Sequence, residues 1–429
     1  MKTVILNALI VPMTSPGLYF KGDIGIEGKK IVFVGKIPHT FIADTTIDGS
    51  SFIAMPALVN AHTHLSMGLM RNYKDFAPNL QAWLNEIFPI ESKLNDSDIL
   101  AASRLGVIES IESGITTFND MYFSNWATAQ AVNEGKIRAC LGLTLFGDLQ
   151  DSKTRMKENP GKVKNQVEAS QGRIQLTVAP HAIYTCSADT YKYAHDWAKD
   201  NQMLLHTHLA ETKIEFDQSL ANFGKTPVQY LHSLGVLSDI KSLLAHCVYL
   251  TDDDITILSE FDTSIAHNPS SNCKLASGIA PIGTYRKRGI NVSLGTDGSS
   301  SNNNQNMFEE MHIASLLSTV SSGDFTNMSP YQVLEMATSH GAKALGLETK
   351  IGTLEVDKEA DILLIDTNKS HLTPLNDPFS ALVFSCQAAD IDSVFCQGNL
   401  IMKNRKVLGF DFDETITQTK ACWADILSR

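Results

Sequence analysis

Residues 57–65 read ALVNAHTHL, and seven later stretches share that form: GITTFNDM (114–121), IRACLGLTLF (137–146), IQLTVAPH (174–181), MLLHTHLAE (203–211), SLLAHCVYL (242–250), TSIAHNPS (263–270) and INVSLGTDG (290–298). Each is a short, continuous apolar run that ends in polar residues, the pattern of a parallel strand buried on both faces. Between them lie amphipathic helical patterns such as LAASRLGVIESIES (100–113), ADTYKYAHDWAKD (188–200) and DDDITILSE (252–260). Eight strand–helix units between residues 55 and 345 point to an α/β fold of the (β/α)8, or TIM, barrel type rather than an open doubly wound sheet.

Working outward, residues 1–54 and 350–429 read as short alternating strands, with a hairpin pattern at DIGIEGKKIVFVGKI (23–37) and further strands in ADILLIDTN (360–368) and DSVFCQGNLIMKNRKVL (392–408). The expected organisation is therefore a barrel over 55–349 and a small β-sandwich built from both chain ends, 1–54 and 350–429. The insertion after the first strand, residues 66–95, exceeds an ordinary βα loop and reads as a lid or substrate-facing excursion. The whole chain has 429 residues, of which 43% are apolar and 19% charged, as in globular proteins. With 35 basic and 47 acidic side chains, its net charge is 35 − 47 = −12. That balance, with no Lys/Arg-rich run, lacks the electrostatic footprint of nucleic-acid binding. No apolar stretch approaches the roughly 20 residues of a membrane span. A lysine and a short apolar run open the chain, but no small-residue cleavage site follows. The seven cysteines form no CxxC pair and sit mostly among apolar neighbours, as buried thiols in a reducing compartment do. A cytoplasmic location is expected.

In barrels of this kind the chemistry sits at the C-terminal ends of the strands, so the polar residues there carry the functional reading. The first strand ends in His62-Thr63-His64, whose two imidazoles point to the same side and can share a metal. The fifth ends in His206-Thr207-His208, with Glu211 three residues on; the sixth ends in His246, and the eighth in Asp297 among glycine and small residues. Each has a plain structural alternative. A buried histidine can simply bond a carbonyl, Asp297 can cap a helix, and Glu211 can be a solvated helix start. Their joint occurrence at strands one, five, six and eight is hard to reach by chance and reads as a metal hydrolase site. His206, two residues before a candidate ligand, is read as packing deeper in the barrel.

The segments PALVNAHTHLSMGLMRN, HTHLAET, LAHCVYL, AHNPSSN and LGTDGSSSNNN resemble the amidohydrolase superfamily, in the aminohydrolase branch that deaminates purines, pyrimidines and related heterocycles. A finer likeness, in WLNEIFPIESKL, NDMYF, RMKEN and APHAIYTCS, is to that branch's deaminases of 5′-methylthioadenosine and S-adenosylhomocysteine. The resemblance implies one zinc, sometimes iron, held by His62, His64, His208 and Asp297. A second ion would need a bridging anion, usually a carboxylated lysine at the end of the fourth strand. That strand ends Ala179-Pro180-His181, so the site is expected to be mononuclear.

On this resemblance the reaction is hydrolytic deamination of a ring amino group, giving the inosyl product and ammonia. Asp297 would accept a proton from the attacking water, Glu211 would carry it to the ring nitrogen, and His246 would hold the water and stabilise the developing charge. For the substrate, the likeness puts Glu91 on the ribose hydroxyls, Trp83 on the adenine face and His181 on the purine or ribose. Arg155, in the polar loop DSKTRMKEN, is put on the carboxylate of S-adenosylhomocysteine. There is one departure. Some relatives carry a second arginine near the end of the third strand, where this chain has the apolar run Leu141 to Leu145, which weakens the case for S-adenosylhomocysteine against methylthioadenosine and adenosine. The rival readings are a guanine or cytosine deaminase, a triazine-type hydrolase and, more remotely, a non-catalytic scaffold. The expected partners are a small nucleoside and, by association, further copies of the chain.

Overall fold

The computed structural model describes residues 1–429. The eight strands expected at the centre are all present: Leu58–Thr63, Ile115–Asp120, Arg138–Leu145, Ile174–Pro180, Leu205–Leu209, Ser242–His246, Thr263–His267 and Asn291–Leu294. They form one parallel sheet in sequence order. In seven of the eight every residue is buried, which is why the strands read as unbroken apolar runs rather than as alternation.

First and last strand meet at a seam made largely by side chains. Asn60 Oδ1 accepts the Thr296 amide at 3.0 Å, and its Nδ2 donates to Thr296 Oγ1 at 2.8 Å. The Asp297 amide donates to the His62 carbonyl at 3.0 Å, and Thr63 Oγ1 donates to the Asp297 carbonyl at 2.9 Å. Gly295 is required here, because a Cβ would stand 2.4 Å from Asn268 Oδ1 and 2.8 Å from the His62 carbonyl.

Both chain ends contribute to a second, mixed sheet of nine strands, hydrogen-bonded without a break where Phe52–Pro56 runs antiparallel to Ile362–Asp366. The N-terminal hairpin is there as Phe20–Glu27 and Lys30–Gly35, and the C-terminal pattern as Ile391–Cys396, Asn399–Lys403 and Lys406–Val407. Ile5, Ile24, Ile26, Ile362, Leu364 and Phe395 fill its own small core. The C-terminal region is not all strand, however: it includes helices Pro378–Phe384 and Phe412–Ser428. The second is amphipathic and packs Ile426 and Trp423 beneath the excursion, with Trp423 edge-on to Tyr73 at 5.3 Å.

The excursion itself is ordered. A 3-10 turn Leu65–Met70 leads to a helix, Leu80–Glu91, whose first turn is capped by Asn79 accepting from the Ala82 amide at 3.0 Å. That helix turns Trp83 and Ile87 into a cluster with Met67, Met70 and Tyr122, and so lies over the C-terminal mouth of the barrel. The stretch 151–159 holding Arg155 is not a loop but part of helix Leu149–Ala169, started by Asp148 accepting from the amides of Gln150 and Asp151. Its buried residues, Ser152, Met156 and Val163, form a narrow helical stripe that the surrounding polar residues disguise. Of the seven thiols, five are buried, but Cys273 is exposed and Cys422 half-buried; none is in a disulfide. No helix is long and apolar enough to cross a membrane.

Candidate active site

At the C-terminal mouth, ligand atoms of His62, His64, His208 and Asp297 all lie within 4.8 Å of one another. His62 Nε2 and His64 Nε2 are each 3.3 Å from Asp297 Oδ1, and His64 Nε2 is 3.2 Å from His208 Nε2. The far nitrogens are committed elsewhere. His64 Nδ1 donates to the Met121 carbonyl at 2.5 Å and His208 Nδ1 to the His181 carbonyl at 2.8 Å. Their Nε2 atoms therefore present lone pairs to each other. His62 Nε2 is buried with no hydrogen-bond partner. Lone pairs and a carboxylate that converge in this way repel unless a cation lies between them, so the donor set fits a divalent metal of the kind bound by imidazole and carboxylate.

Asp297 is held firmly. Its Oδ2 accepts from Ser271 Oγ at 2.6 Å and Ser301 Oγ at 3.0 Å, and its Oδ1 from the Gly298 amide at 2.8 Å. His246 points its Nε2 at Glu211 Oε2, 3.8 Å away, and at Asp297 Oδ2, 4.0 Å away, while its Nδ1 donates to Asn272 Oδ1 at 2.8 Å. Glu211 accepts from Ser277 Oγ at 3.2 Å, and burial raises its pKa. His246 and Asp297 have φ of 73° and 60°, left-handed values that residues other than glycine rarely hold without a local reason.

Above these groups opens a cavity. Trp83, Glu91, His181, Glu211, His246 and Asp297 all line it, among apolar side chains that include Leu84, Phe88, Met121, Phe123 and Phe146. Trp83 is 4% exposed, and its indole Nε1 and the Tyr122 hydroxyl are both buried without a partner that meets hydrogen-bond geometry. Glu91, the last residue of its helix, faces Tyr122, and burial raises its carboxyl pKa. His181 is stacked on Phe146 with ring centroids 4.6 Å apart, and burial lowers it to about 3, so the ring is neutral. Arg155 is the one substrate-binding candidate outside this cavity. It lines an adjoining polar one with Lys162 and Glu158, which shares Tyr122, Phe123 and Thr144 with the first.

The sequence reading passed over several groups. His206 does pack deeper, but its Nε2 is 2.9 Å from His62 Nδ1, so it orients a metal-cluster histidine. Its two-residue spacing from His208 was the available signal. Ser271, Ser277, Ser301 and Asn272 left none, since small polar residues have many uses.

Residues 53–401 match the amidohydrolase family as a whole. The chain belongs to the amidohydrolase family. Within reach of this amidohydrolase are a 5-methylthioadenosine/S-adenosylhomocysteine deaminase of Thermoanaerobacter pseudethanolicus, 40% identical over the full length of both chains, and a 5′-deoxyadenosine deaminase of Methanothermobacter thermautotrophicus, 41% identical over 90% of each. Among solved structures, an adenosine deaminase from Xanthomonas campestris with bound zinc superimposes on the amidohydrolase with a TM-score of 0.94. It is 28% identical, over 100% of this chain and 99% of that one.

Proposed function

We propose that this chain is a zinc-dependent hydrolytic deaminase of adenosine-type nucleosides, releasing ammonia and the inosyl product. The observation that carries the reading is the meeting of Glu211, His246 and Asp297 at 3.8 and 4.0 Å on the floor of a mainly apolar cavity, beside the histidine–aspartate cluster. The deaminase names of the relatives support the reaction class.

His62, His64, His208 and Asp297 would hold the metal, whose contribution is to lower the pKa of a water at neutral pH. Asp297 Oδ2 accepts the water's proton, with the two serine hydroxyls fixing the direction of that oxygen. Glu211, whose protonated form burial favours, delivers a proton to the ring nitrogen and so draws electrons from the carbon under attack. His246 Nε2, its ring locked by Asn272, sets the attack direction and offsets charge on the new oxygen. At the other end Glu91 accepts from the ribose hydroxyls, Trp83 covers the base, and His181 binds the purine or ribose. A carboxylate so placed favours a nucleoside over a free base, which has no diol to offer.

The test is ammonia release by the zinc-loaded protein from methylthioadenosine, S-adenosylhomocysteine, adenosine, guanine and cytosine. Turnover of the adenosines alone is expected. Turnover of a free base alone would overturn the substrate roles of Glu91, His181 and Arg155 and bring a guanine or cytosine deaminase forward.

A further inference from the structure

One buried acid near the site has no part in the mechanism above. Glu215 lies in the first turn of helix Lys213–Phe223 and is 2% exposed. Acids at this position ordinarily serve their own helix. This one reaches back out of it: Oε1 accepts the Ala210 amide at 3.0 Å and Oε2 the Glu211 amide at 2.8 Å. Neither amide donates to a backbone carbonyl. Its own amide is capped by Thr212 Oγ1 at 3.1 Å, so the helix start is satisfied without its side chain.

The clamped peptide is the one that needs clamping. Ala210 has φ of 51°, the left-handed conformation that costs a residue with a Cβ about 1–2 kcal/mol. Its carbonyl is fixed from the other side, accepting from the amides of Val248 and Tyr249, both at 2.9 Å. The fifth strand thus ends in a turn pinned by the following strand's loop on the carbonyl face and by Glu215 on the amide face. Out of that turn emerges Glu211, whose side chain touches only Ser277 Oγ at 3.2 Å and faces His246. A single serine contact does little to aim a carboxyl group, so the backbone must.

We propose that Glu215 is a positioning residue for Glu211, its two oxygens holding the consecutive amides of Ala210 and Glu211 so that the Glu211 carboxyl emerges toward the reacting ring nitrogen. The inference rests on the proton-carrier reading of Glu211. It predicts that disturbing Glu215 impairs the chemical step while leaving substrate and metal binding alone, because misplacing a reacting group by a fraction of an ångström is costly only in the transition state.

The experiment compares four zinc-loaded proteins on the most rapidly deaminated of the adenosines: the parent, Glu211→Gln, Glu215→Gln and the double variant. The Glu215→Gln side chain keeps one carbonyl acceptor but turns an amino group on the second amide. Its kcat should fall about 10- to 100-fold, with KM and metal content within about twofold of the parent. The double variant should be no slower than Glu211→Gln alone, since a residue that acts only through another has nothing left to lose. A parent-like kcat for Glu215→Gln, a loss of metal, a rise in KM matching the fall in kcat, or a double variant slower by the full factor would each overturn the inference. Should Glu215→Gln not fold, Glu215→Asp, which keeps the charge one methylene short of both amides, is read by the same criteria. A parent-like rate in Glu211→Gln is a separate result: it removes the proton carrier before Glu215 is tested.

Discussion

The two sides of the barrel mouth are built on different principles. On the metal side, every polar group is held by another: His62 by His206, His64 by the Met121 carbonyl, His208 by the His181 carbonyl, and Asp297 by two serines and an amide. These are strand ends and their immediate turns. On the cavity side, helix Leu80–Glu91 and the loops after the second to fourth strands supply mostly apolar contact, and one polar atom there, Trp83 Nε1, is buried without a hydrogen-bond partner. The first side is pre-organised for one chemistry. The second is left open for a ligand to complete, so it is where relatives of one fold can differ in substrate.

That contrast can be broken from either side. Asp297→Ala should cost the most: both the metal, read by elemental analysis, and turnover, by several orders of magnitude. Retention of full metal content would mean that the three histidines suffice and that the carboxylate is not part of the binding set. Next, Glu91→Gln should raise KM for adenosines about tenfold, equivalent to about 1.4 kcal/mol, with little change in kcat. A fall in kcat with KM unmoved would instead put Glu91 on the metal side of the division. A smaller effect is expected from Arg155→Ala, which should weaken S-adenosylhomocysteine about three- to tenfold through KM and leave adenosine unaffected. If both substrates respond alike, the adjoining cavity does not hold the amino-acid end.

The mildest probe is of the scaffold beneath Asp297. Glu310 is fully buried, accepting from Asn302 Nδ2 at 2.7 Å and the Ser270 amide at 3.2 Å, and burial raises its pKa from 4.5 to about 8. An acid whose native pKa is raised stabilises the fold fully below its unfolded value and progressively less as pH climbs to the native one. The parent's thermal midpoint should therefore sag between pH 5 and 8 through this group. Glu310→Gln removes the sag, so the gap between the two proteins should shift by a few degrees in the variant's favour. A gap that stays constant with pH would remove Glu310 from the account.

The same division decides what could be read from the chain before its structure. Strand ends announce themselves because full burial forces unbroken apolar runs, and a polar residue closing such a run is conspicuous: His62, His64, His208, His246 and Asp297 all stand in that position. Arg155 was misplaced in a loop because its helix buries only a thin stripe among 21 residues. Glu215 was invisible for a different reason. Its partners are backbone amides, and no residue type marks a backbone that will be clamped. Only the resemblance put Trp83 and Glu91 at the substrate, since the packing of their helix against Met67, Met70 and Tyr122 joins segments that no local pattern connects.

The seam between the first and last barrel strands has a consequence for assembly. Asn60 and Thr296 are 236 residues apart in sequence, and their contact adjoins the one that brings Asp297 to His62. Loop-closure entropy makes such distant pairings the ones that depend on everything between them being in place. A nascent chain therefore carries three of the four ligands without a site to put them in. The histidine–aspartate cluster comes into being only with the ring's last join, so its formation reports that the barrel is complete.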